Sequence, residues 1–104
     1  MSDDIRLLYK KPLFSLGECI ITPGVLAFVE ETEFPIMTLL YRHQSGDWGN
    51  MRPYAVQKNY YALYHQLRIF SSYEIPIGLD NYETLRVFTE GDRSRTNILL
   101  ASEQ

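Results

Sequence analysis

A chain of 104 residues, 45% apolar and 22% charged, has the composition of one folded domain and not of a disordered segment. Its net charge of −3 argues against a wholesale nucleic-acid binder, and its single cysteine excludes an internal disulfide. No apolar run approaches the ~20 residues that a bilayer-crossing helix needs, so no membrane attachment is expected.

In chain order, residues 1–12 read as an N-terminal arm and 13–104 as a single α+β domain. Met1-Ser2-Asp3-Asp4 is acidic where a secretion signal is cationic, which points to a cytoplasmic protein. The β-rich Cys19-Ile20-Ile21 predicts a first strand, with Cys19 buried as a small hydrophobe. Thr22-Pro23 predicts a helix start, Thr as N-cap and Pro at the first helical position. Ile36, Leu39, Leu40 and His43 recur at helical spacing after Pro35, and Gly46 supplies a left-handed stop. Pro53 opens a third helix, with Val56, Tyr60, Leu63 and Leu67 as its inward stripe. Tyr54, Tyr61 and Tyr64 cover its other angles.

Three extended segments follow, around 67–75, 84–89 and 96–100, separated by turns at Gly78-Leu79-Asp80-Asn81 and Glu90-Gly91-Asp92-Arg93-Ser94. The expected order is β-α-α-α-β-β-β, an antiparallel sheet with helices packed on one face. The other face would be open to solvent or a partner. No Cys/His metal spacing, P-loop or G-x-G-x-x-G occurs, so neither metal nor cofactor is implied.

Three clusters carry chemistry. In the first, His43 and Asp47 are candidates for an acid–base dyad at a helix end. The structural reading of the same residues has Gly46 ending the helix, Asp47 capping the turn and Trp48 plugging the core, with His43 gaining from the helix dipole; glycine on both sides of Asp47-Trp48, at Gly46 and Gly49, implies a backbone forced close to something and keeps the functional reading open. In the second, Glu90, Asp92 and Arg93 crowd one hairpin tip. Arg93 facing a phosphate with Glu90 as base is one reading, and a charge pair pinning the turn is the other. The third is the tyrosine helix with Arg52, Tyr54, Lys58, Tyr61, Tyr64 and Arg68. No acidic residue occurs from Trp48 to Tyr73. Tyr and Arg suit a protein interface, and they also stack on bases, while a core-lining helix with hydroxyls at its rim is the third possibility.

Phe14-Ser15-Leu16-Gly17, Thr22-Pro23-Gly24, Arg42-His43-x-Ser45-Gly46-Asp47-Trp48-Gly49, Asn59, Ser71-x-Tyr73, Thr89-Glu90-x-Asp92-Arg93-Ser94-x-Thr96 and Ile98-Leu99-Leu100 occur in an ordered series. On these residues the chain resembles a family of small uncharacterised bacterial proteins, often encoded on plasmids and other mobile elements. The resemblance implies no activity. It departs at Asn50-Met51-Arg52-Pro53-Tyr54 and along the tyrosine helix, where relatives are acidic and polar, and at the terminal Ala101-Ser102-Glu103-Gln104. That marks the tyrosine helix as a surface particular to this chain.

The leading expectation is therefore a non-enzymatic interaction or accessory protein of a mobile element, binding a protein partner or itself. A small metal-independent ribonuclease or toxin-like enzyme using His43, Glu90, Asp92 and Arg93 is the alternative. A nucleic-acid-binding module using Arg52, Lys58, Arg68 and the tyrosines is the third, and the acidic remainder of the chain weighs against it.

Overall fold

Local capping sets where each helix begins and ends. The Thr22 hydroxyl accepts the Val25 N–H at 3.2 Å ahead of Pro23, and helix α1 runs Pro23–Thr32 to a left-handed Glu33. Helix α2 runs Met37–Gln44, later than Pro35, because its entry is a tighter turn: Thr38 and Leu39 donate to the carbonyls of Pro35 and Ile36, both at 3.0 Å. Arg52 has the extended backbone that precedes a proline, and helix α3 runs Pro53–His65 to a left-handed Gln66. The computed structural model describes residues 11–104. Of the N-terminal arm assigned to 1–12, all but Lys11 and Pro12 lies outside the described residues.

The strands are β1 (Glu18–Ile21), β2 (Ile69–Gly78), β3 (Asn81–Thr89) and β4 (Arg95–Leu100), and a short 3₁₀ turn over Ala101–Glu103 follows β4. The expected α+β order holds, and β2, β3 and β4 form the antiparallel meander. The first strand differs from expectation: β1 pairs parallel to β4, so the sheet is mixed, with order β1-β4-β3-β2. The C-terminal turn accounts for the direction. Glu103, just beyond β4, accepts from the Thr22 hydroxyl at 2.6 Å and the Gly24 N–H at 3.1 Å, just beyond β1. Both strands must therefore deliver the chain to the same end of the sheet. Cys19, expected in the core, is exposed on β1, which among the described residues pairs with β4 alone.

Alternation along the strands sends Ile69, Ser71, Tyr73, Ile75, Leu85, Val87, Thr89, Thr96 and Ile98 inward under the helices. Two apolar clusters result. Val25, Phe28, Leu39 and Leu40 pack on Tyr73, Ile75, Leu85, Val87 and Ile98. Trp48, Ala62 and Ile69 form the second with Phe14, Met51, Val56 and Leu63. The opposite sheet face, bearing Phe70, Ser72, Arg86, Phe88 and Leu99, carries no helix among the described residues.

Candidate functional site

His43 is fully buried, and its ring organises a polar chain across the core. Nδ1 lies 2.6 Å from the Ser71 hydroxyl and Nε2 lies 3.0 Å from that of Thr89. Thr89 and Thr96 hydroxyls are 2.7 Å apart, and Thr96 donates to the Leu16 carbonyl at 2.7 Å. That last bond uses the only hydroxyl proton of Thr96, so Thr89 must donate to Thr96 and accept from His43. The proton of the neutral ring is thereby placed on Nε2, and Ser71 donates to Nδ1. Burial, with the Arg93 charge second, pushes the imidazole down to about 3, so it is neutral across the physiological range. The gain from the helix dipole expected for a charged His43 is absent for that reason. Phe14 meets the ring edge-on at 5.2 Å and Trp48 at 5.9 Å.

The Gly46–Gly49 turn follows from how α2 ends. The Asp47 N–H returns to the Arg42 carbonyl at 2.8 Å, and its carboxylate grips the Arg42 guanidinium at 2.7 and 3.3 Å rather than His43. The guanidinium lies 4.6 Å above the Tyr73 ring, whose hydroxyl donates to the Asp47 carbonyl at 2.6 Å. Burial pushes that phenol well above its ordinary value. Trp48 is buried, stacked on Phe14 at 6.3 Å, and Gly49 bridges to Ser72 on β2. A Cβ on Gly49, at φ 77°, would stand 2.2 Å from the Ser72 carbonyl oxygen. The glycine is what lets this segment seal the exposed edge of β2.

At the hairpin tip, Arg93 is spent on backbone. Its guanidinium donates to the carbonyls of Leu67 (2.7 Å), Ala62 (2.9 Å), Gly91 (3.0 Å) and Glu90 (3.1 Å), and sits 5.7 Å above Phe14. It thereby closes the C-terminal end of α3 and the turn together. Asp92 accepts from the Ser94 hydroxyl (2.6 Å) and N–H (3.0 Å), which hold its carboxyl below the usual range. Glu90 pairs with Arg68 at 2.9 Å. The two signatures thus meet around Phe14, against which Arg93, His43 and Trp48 all rest. His43 lies in the interior, while Asp92 is exposed at the tip, so the four acid–base candidates line no common cleft.

The third cluster lies at the surface. Asn59 and Ala62 face inward from α3, and the Asn59 amide holds both backbone groups of Phe70 on β2, at 2.6 and 3.0 Å. Tyr60 and Leu67, expected in one stripe of this helix, are exposed: Asn59 takes the inward position on α3, and Leu67 lies beyond the helix end at the left-handed Gln66. Tyr54, Tyr61 and Tyr64 are 66%, 58% and 85% exposed. Two recesses of about 320 Å³ each lie along this side, and Met51, Tyr54, Ala55 and Phe70 form a wall common to both. Arg52 and Arg86 border the first; Lys58 and Arg68 border the second. Among the described residues, neither lining contains an acidic side chain. Phe70, Phe88 and Arg86 are absent from the sequence candidates, although the alternation of β2 and β3 puts them on the uncovered face. No group of three or more metal-ligating side chains occurs among the described residues.

Comparison with known proteins finds no match: no protein-family model, no curated protein and no solved structure resembles the chain significantly.

Proposed function

We propose that the chain is a non-enzymatic binding module that works through the outer side of α3 and the adjoining open face of the sheet. On the resemblance of its signatures, we place it as a cytoplasmic accessory protein of a bacterial mobile element. One observation carries the reading: the tyrosines of α3 stand in solvent while the acid–base candidates are consumed by the scaffold. Tyrosines bury large area on binding at small entropic cost, and monomers rarely leave so many exposed together. The nuclease reading draws no comparable support, since His43 is sealed and Arg93 donates to four backbone carbonyls.

The experiment is an affinity capture from bacterial lysate, divided into nuclease-treated and untreated halves, with light scattering on the purified chain. The wild type should retain a partner, or associate with itself. Tyr61→Ala with Tyr64→Ala should weaken that at least tenfold, with the melting temperature unchanged. A monomer whose captured material is the same for both versions would end the proposal.

A further inference from the structure

We infer that this surface takes single-stranded nucleic acid, with two successive nucleotides seated in the two recesses on either side of the Tyr54–Phe70 wall. The inference rests on the binding-module reading and supplies its ligand. Three observations lead to it.

The first is charge. The chain is acidic overall, at −3, yet among the described residues the linings of both recesses hold arginine or lysine and no acidic side chain. Arg68 is compensated by Glu90. Arg52 and Lys58 make no side-chain hydrogen bond or ion pair among the described residues, and Arg86 is held by the neutral amide of Gln104. Three cations are left for a polyanion.

The second is the aromatic furniture. Phe70 and Phe88 are direct cross-strand partners with ring centroids 5.8 Å apart, and Phe70 is 43% exposed. Tyr54 stands beside Phe70 in the shared wall, and Tyr61 borders the second recess. A flat ring on a sheet face with cations around it offers a base its π-face and the neighbouring phosphate a counter-charge. A protein interface also favours Tyr and Arg, so it is the cluster of cations without a carboxylate partner beside the rings that favours a polyanionic strand. The third is shape: two small open recesses suit splayed bases, whereas the bases of a duplex are already stacked inside it.

Fluorescence anisotropy of labelled ten-nucleotide oligothymidine and oligouridine with the full chain tests this. Both strands, or one, should bind, and Phe70→Ala should weaken binding about tenfold or more, with Tyr54→Ala as the second stacking variant. An abasic strand of equal length should bind the wild type about as weakly as the intact strand binds Phe70→Ala. With about three phosphates neutralised, a fourfold rise in salt should weaken binding roughly twentyfold. Lys58→Glu should lower both affinity and salt dependence, and thermal melts should show each variant folded. Equal binding of a duplex or an abasic strand would overturn the inference, as would indifference to both stacking variants. Equal binding of polyglutamate would assign the surface to an acidic protein instead. If no strand binds while a protein is still captured through Tyr61 and Tyr64, this inference falls and the binding module stands.

Discussion

At the scale of single residues, His43 makes folding depend on pH. The unfolded imidazole takes a proton near 6.5, and the folded one resists until about 3. Between those values the unfolded state holds more protons, so stability is complete above about 6.5 and falls as pH falls through the window. The expected slope from this group is about 1.4 kcal/mol per pH unit. Urea unfolding at pH 7 and pH 5 measures it, and His43→Gln should lose this contribution to the slope whatever it does to stability at pH 7. If the variant retains the full slope, the acid sensitivity lies with the carboxylates. Gly49 is the other residue with no substitute. Gly49→Ala forces a Cβ to 2.2 Å from a strand carbonyl at a positive φ, and should cost about 3 kcal/mol or more in urea unfolding.

Among the elements, the junction of α3 with the β3–β4 hairpin depends on Arg93. Four carbonyls from two elements share one guanidinium, a geometry that lysine cannot reproduce. Arg93→Lys should therefore destabilise by about 2 kcal/mol, with faster hydrogen exchange in the last turn of α3. A lysine variant with wild-type stability and exchange would show that the ammonium suffices. The limits of sequence reading also appear here. Thr22-Pro23 and Pro53 mark helix starts because capping is settled by neighbours in the chain. Asp92-Arg93 is legible as a turn, but not the use of Arg93, since Ala62 lies 31 residues away. The same holds for Asp47, whose charge goes to Arg42 and whose carbonyl receives Tyr73. A charged residue within a motif looks catalytic until its distant partners are known.

For the whole molecule, scaffold and surface separate. The signature residues are absorbed by packing, and the tyrosines of α3 are not. Tyr54→Ala, Tyr61→Ala and Tyr64→Ala should each change stability by no more than about 0.5 kcal/mol, read from urea midpoints. A loss of about 2 kcal/mol in any of them would mean that the ring is packed and that the surface is smaller than argued. The uneven charge belongs to this scale too, because a net −3 hides two recesses walled, among the described residues, without an acidic side chain.

The chain by itself determined the starts of α1 and α3, the order of elements and the meander at its end, all of which follow from capping, proline and periodicity within a few residues. Only the tertiary structure decided that β1 runs parallel to β4, that Cys19 is exposed, that His43 is sealed beside Trp48, and that Phe70, Phe88 and Arg86 continue the α3 surface. These depend on which segments meet across tens of residues. The free energy of such meetings comes from burial and hydrogen bonds shared between elements, and periodicity along one element carries no record of its neighbours.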